Sequence, residues 1–103
     1  MNETEIMRAV LVAVTAVPGP MFWRNNTGQA TAQGGRVIRF GLPGSPDILG
    51  VHRGQAVGIE VKTSTGRQSQ QQLRFQVAFE AAGGTYIIVR SVPDALDALE
   101  NLI

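Results

Sequence analysis

The stretch from Pro46 to Lys62 (Pro-Asp-Ile-Leu-Gly-Val-His-Arg-Gly-Gln-Ala-Val-Gly-Ile-Glu-Val-Lys) limits the possible folds more than any other part of the chain. It reads as two strands, 47–52 and 56–63, joined through Arg53-Gly54. A hairpin that turns symmetrically about Arg53-Gly54 pairs positions whose numbers sum to 107, so Asp47 faces Glu60 directly. Directly opposed side chains have Cβ atoms about 4.5–5.5 Å apart, and like charges there destabilise a sheet. A divalent cation is the natural compensation, because hard ions such as magnesium favour one or two carboxylates plus water and phosphate oxygen. Lys62 lies two residues beyond Glu60 and therefore on the same face. Ile48, Val57, Ile59 and Val61 supply an apolar opposite face, while Ala56 and Gly58 leave the acidic face uncrowded. The plainer alternative is an exposed face on which Glu60 and Lys62 form a weak surface pair.

Length and composition narrow the class. A chain of 103 residues has room for one hydrophobic core, and 1–103 reads as a single domain. With 44% hydrophobic and 17% charged residues the sequence is too apolar for a disordered chain. The longest apolar run, Ala9–Val14, is far short of the roughly 20 residues that a membrane span needs, so no membrane association is expected. The start carries two glutamates and no basic segment, unlike a secretory signal. The absence of cysteine excludes disulfides and thiolate metal sites and suits a reducing, cytoplasmic compartment. The net charge of +1 hides an asymmetry: between Arg8 and Arg74 there are eight bases but only two acids, Asp47 and Glu60. A basic middle suits a phosphate-rich partner, although scattered arginines also serve solubility alone.

Periodicity supplies the rest of the frame. Residues 3–17 read as a helix with Ile6, Val10, Ala13 and Val17 on its apolar stripe, capped by Asn2 or Thr4 and stopped by Pro18-Gly19-Pro20. Residues 21–25 read as a short strand, 26–35 as a polar loop, and 36–40 as a strand alternating basic and apolar residues. Ser69 opens a helix over 70–82 in which Ser69 and Gln72 have the form of a capping box, and Gly83-Gly84 ends it. Residues 86–89 read as a buried strand, and Pro93 starts a last helix with the stripe Leu96, Leu99, Ile103. The order α-β-β-β-β-α-β-α predicts an α/β fold with a mixed sheet flanked by helices.

Pro46-Asp47, a spacer of twelve residues, and Glu60-Val61-Lys62 together resemble the PD-(D/E)xK nuclease motif. More narrowly, the chain resembles the virus-type replication-repair nuclease (VRR-NUC) domain. That likeness rests on Trp23-Arg24-Asn25-Asn26-Thr27-Gly28, Gly44-Ser45-Pro46-Asp47, Glu60-Val61-Lys62, Gly66-Arg67-Gln68-Ser69 with Gln72, and Ala81-Ala82-Gly83-Gly84-Thr85-Tyr86. It spans nearly the whole chain.

The resemblance implies a restriction-endonuclease-like fold and a metal-dependent DNA endonuclease using magnesium, with manganese as the alternative ion. Asp47 and Glu60 would ligate the metal together with the Val61 carbonyl, and Lys62 would position the nucleophilic water. Gln72 would support the phosphate or the water, a role that competes with its place in the capping box. A first-helix glutamate completes such a site. Glu3 is preferred over Glu5 because it lies three and seven residues before Ile6 and Val10, on the face turned to the sheet. Arg24, Arg36, Arg39 and Arg67 are the expected phosphate contacts. Asn25 and Asn26 are either DNA contacts or turn formers. His52 reads as a solvated turn residue, and Trp23 and Phe40 as core. Free-standing members of this family imply a homodimer acting on branched DNA such as a four-way junction, and a phage or prophage source. The rival readings are a flap or nicking nuclease within a replication-repair complex, and a DNA-binding module that cuts nothing. Leu96, Leu99 and Ile103 are assigned to core packing, with a dimer surface as the other option.

Overall fold

The computed structural model describes residues 1–102. The elements run α1 (Glu3–Thr15), β1 (Met21–Arg24), β2 (Gly28–Thr31), β3 (Val37–Phe40), β4 (Ile48–His52), β5 (Gln55–Val61), α2 (Gln70–Ala81), β6 (Thr85–Val89) and α3 (Val92–Glu100). Four strands form a mixed sheet in the order β1-β4-β5-β6, antiparallel except for the parallel β5–β6 pair. That parallel pair requires a crossover, which α2 supplies. Among the described residues no helix is long and apolar enough to cross a membrane.

The β4–β5 register pairs Ile48 with Ile59, Leu49 with Gly58, Gly50 with Val57 and His52 with Gln55, which is the symmetric hairpin expected from the sequence. Its turn has positive φ at both central residues, 51° at Arg53 and 80° at Gly54. Such turns match the twist of a two-residue hairpin. Gly58 has a steric reason as well: a Cβ there would stand 2.8 Å from Pro46 Cγ. Pro46 packs against the glycine and leads the chain through Asp47 into β4.

Alternation along β5 sorts the two sides of the sheet. Ile48, Ile59, Val61 and Val89 join Met7, Val10 and Val14 of α1 and Ala95 and Leu99 of α3 in one core cluster. On the other side, Tyr86 (paired with Gly58) meets Phe75, which stacks on Phe79 at 5.3 Å. α2 therefore covers the face that carries Gly58, Glu60 and Lys62. The buried row of α1 is Met7, Val10 and Val14, with Ile6 and Val17 only flanking it. Val10 of the expected stripe is fully buried, and Met7 and Val14 share its face.

Several expectations are corrected. Residues 26–35 are not all loop: Gly28–Thr31 pairs with Val37–Phe40 in a separate antiparallel ribbon, giving the order α-β-β-β-β-β-α-β-α. Gly-Gln-Ala-Thr carries no apolar alternation, so pairing with β3 makes this strand rather than any local preference. Trp23 and Phe40 are not core, being 43% and 44% exposed. In β1 it is Phe22 that faces inward, and Trp23 takes the other side. In the ribbon Phe40 pairs with Gly28 and Ile38 with Ala30, an apolar face that nothing among the described residues covers. His52 is not a solvated turn residue. Both its ring nitrogens are buried without a partner among the described residues, and its ring lies under the Pro18–Pro20 turn. Leu99 is buried and Leu96 lines a cleft of about 290 Å³ beside His52, whereas Ile103 lies outside the described residues.

Candidate active site

Asp47 leads into β4 and Glu60 and Lys62 come from the end of β5. The hairpin register brings the two acids together, and the N-terminal turn of α1 reaches them with Glu3. One carboxylate oxygen from each of Glu3, Asp47 and Glu60 lies within 4.8 Å of the others. Glu5 is elsewhere. Asn2 is the N-cap of α1; its side chain accepts from the Glu5 N–H at 2.9 Å, and the Glu5 carboxylate turns back to the Asn2 N–H. The capping box thus occupies Glu5 and leaves Glu3 for the cluster.

Asp47 is held from several directions. Its Oδ2 accepts the Val61 N–H at 2.9 Å, and its Oδ1 is 3.9 Å from Arg24 Nη1. The Arg24 guanidinium also donates to the carbonyls of Asn25 and Asp47, both at 2.7 Å. Asn25 Nδ2 donates to Ser45 Oγ and to the Pro46 carbonyl, each at 2.8 Å, while the Asn25 backbone N–H donates to the Asp47 carbonyl. Asn25, between β1 and β2, anchors the segment that presents Asp47. Arg24 Nη1 and Asn25 Nδ2 are engaged within the protein, whereas Arg24 Nε and Nη2 have no partner among the described residues. Asn26, Arg36, Arg39 and Arg67 are exposed, with Arg39 on the ribbon and Arg36 in its turn.

Glu60 and Lys62 are the buried charged residues among those described, 2% and 7% exposed. Burial, a hydrogen bond with Asp47 and the Asp47 charge push the Glu60 carboxyl up to about 9; Lys62 opposes this and Glu3 adds to it. Without a cation the cluster therefore retains a proton at neutral pH. The Tyr86 hydroxyl donates to Glu60 Oε2 at 3.4 Å, and burial raises its own phenol above the ordinary value. Lys62 N–H donates to the Val89 carbonyl at 2.9 Å, tying the end of β5 to β6. Gln72 does form the capping box: its Oε1 accepts from the Ser69 N–H at 2.9 Å, and its own N–H reaches Ser69 Oγ at 3.1 Å. This leaves the Gln72 amide hydrogens for a further partner.

Sequence reasoning missed Tyr86 and Arg90. Tyr86 is found only through the parallel register, which sets it against Gly58, two residues before Glu60. Arg90 follows β6 and donates to the carbonyls of Thr63 and Gly66 in the turn after Lys62. No local motif marks either contact.

The donor set suits a hard divalent cation: three carboxylates converge, one of them buried, and the nearby cations are Lys62 and Arg24, the latter at the 3.9 Å edge of ion-pair distance from Asp47. The mixed sheet with helices on both faces and an acidic cluster at one end of the central hairpin defines an α/β fold of the restriction-endonuclease-like class. A solved structure described as a "VRR_NUC domain" has this fold, with a TM-score of 0.67 and 20% sequence identity over 98% of this chain and 97% of that one. The protein has the fold of that domain. No protein-family model and no curated protein matches the sequence.

Proposed function

We propose that this chain, acting as a single domain, is a divalent-metal-dependent DNA endonuclease whose centre is Glu3, Asp47, Glu60 and Lys62. The convergence of three carboxylates within 4.8 Å beside a buried lysine carries this reading. Glu3, Asp47 and Glu60, with the Val61 carbonyl, would hold magnesium or manganese. The ion would supply Lewis-acid polarisation of the scissile phosphate and a lowered water pKa. Lys62 Nζ orients the attacking water and places positive charge where the phosphate gains negative charge. Gln72 uses its free amide hydrogens on a phosphate oxygen while its Oε1 stays on the Ser69 N–H. Arg24, Asn25, Asn26, Arg36, Arg39 and Arg67 bind the DNA backbone, Arg24 through its Nε and Nη2 while Nη1 stays on the protein's own carbonyls.

The sharper proposal is a homodimer that resolves branched DNA of the four-way-junction type. It is supported by Leu73 and Val77, one turn apart on the outer side of α2 and 50% and 61% exposed, which suit contact with a second copy. Phage or prophage origin and cytoplasmic location belong to the same reading. Cleavage of labelled four-way junction, flap and linear duplex DNA with magnesium, manganese or EDTA tests it, together with the mass in solution of wild type and Leu73→Arg. Preferential junction cutting by a dimer is expected. A monomer that prefers flaps favours the flap-nuclease reading, and binding without cutting favours the non-catalytic module.

A further inference from the structure

Beyond the carboxylate cluster, a groove of about 460 Å³ opens at the C-terminal ends of β5 and β6, between α1, the turn after Lys62 and the start of α3. We propose that this groove is a nucleotide subsite that takes one nucleotide of the substrate strand beside the phosphate being cut. The inference rests on the nuclease reading and adds a site to it.

Position is the first argument. Met1, two residues before Glu3 in the chain, lines the groove. Ile6 and Ala9 form one wall of the groove, and Thr63, the residue after Lys62, belongs to its rim. The groove therefore adjoins, along the chain, both the segment that brings Glu3 and the turn that follows Lys62, where a nucleotide next to the scissile phosphate would lie.

Chemistry is the second. Ile6 and Ala9 of α1 and Val92 and Pro93 at the start of α3 give the groove apolar surface suited to a base, with the hydroxyls of Thr63, Ser64 and Ser91 beside them. Arg90 supplies the complement for a phosphate. Its Nη1 is engaged by the Thr63 and Gly66 carbonyls, which hold the guanidinium in place. An arginine has five N–H donors, and among the described residues Nε and Nη2 of Arg90 have no partner and no acid lies within ion-pair distance. A fixed guanidinium with donors to spare is suited to phosphate oxygen. An apolar slot with such a charge at its edge matches a nucleotide better than it matches a simple anion or an apolar side chain.

The test is an abasic scan. Substrate DNA is prepared with a single tetrahydrofuran residue at each of the three nucleotides on either side of the cleavage position, and cleavage is compared with intact DNA. Loss of one base from an apolar slot is expected to slow cleavage by about ten-fold at a single position and by less than about two-fold elsewhere. The Ala9→Trp variant, which fills the slot, should cut intact DNA at the reduced rate and lose its sensitivity to that position. The scan on wild-type protein stands by itself if Ala9→Trp does not fold. Intact DNA cut with no sensitive position, or equal sensitivity in a folded Ala9→Trp, overturns this inference alone. Failure to cut any intact DNA overturns the nuclease reading, and the subsite with it.

Discussion

Replacing Glu60 by glutamine should abolish cleavage yet make the metal-free protein more stable at neutral pH. The Glu60 carboxyl rises from 4.5 to about 9 in the folded protein, with burial the largest cause and Asp47 the next. Between those two values the folded state holds a proton that the unfolded chain releases. Stability must therefore fall as pH rises through that window. At pH 7 about 2.5 units of the rise are in play, which at 1.36 kcal/mol per unit is about 3 kcal/mol of lost stability. Glutamine carries no such penalty. For a domain of this size the variant should melt about 12–24 °C above wild type in EDTA at pH 7, at roughly 4–8 °C per kcal/mol. Toward pH 4, below the unfolded value of 4.5 where the carboxyl is protonated in both states, the gap should close. Saturating magnesium or manganese should raise the melting point of wild type more than that of Glu60→Gln, because only wild type keeps all three ligands. Thermal melts from pH 4 to 8, with and without metal, provide the assay. A variant advantage that is the same at pH 4 and pH 7, or a variant less stable throughout, would refute the reasoning.

Three further outcomes follow from the geometry. Lys62→Ala should abolish cleavage while leaving DNA affinity within about two-fold, read by filter binding in EDTA; equal loss of both would make Lys62 an ordinary phosphate contact. Arg53 holds φ at 51°, where a non-glycine residue is strained, so Arg53→Asn should stabilise the protein by about 0.5–1 kcal/mol in a denaturant melt without changing activity. Asn25→Ala removes two side-chain hydrogen bonds beside Asp47 and should cost about 1–3 kcal/mol of stability while weakening metal binding measured by calorimetry.

What could be read from the sequence depended on whether the deciding contact was local. The β4–β5 pairing was legible because alternation and an Arg-Gly turn fix a register within about fifteen residues, and that register alone brings Asp47 to Glu60. Both capping boxes form between residues three apart, and they explain why Glu5 and Gln72 sit where they do. The β2 strand was hidden because Gly28–Thr31 has no strand signal until β3 lies beside it. The local contacts of Arg24 and Asn25 depend on carbonyls and a hydroxyl twenty or more residues away in sequence, at Asp47, Ser45 and Pro46. In isolation an arginine and an asparagine before a loop look like nucleic-acid contacts. His52 looked solvated because it adjoins a turn; the Pro18–Pro20 segment that covers it arrives from the far end of α1.

The central claim is that Glu3, Asp47 and Glu60 form one metal-dependent cutting centre. The most direct test is single-turnover cleavage of a labelled four-way junction in magnesium by wild type, Glu3→Gln, Asp47→Asn and Glu60→Gln, each first shown to be folded and to bind DNA. The account predicts cutting by wild type that EDTA stops, and a loss of about a hundred-fold or more in each variant with DNA binding retained. Undiminished cutting by Asp47→Asn or Glu60→Gln, or cutting that persists in EDTA, would contradict it.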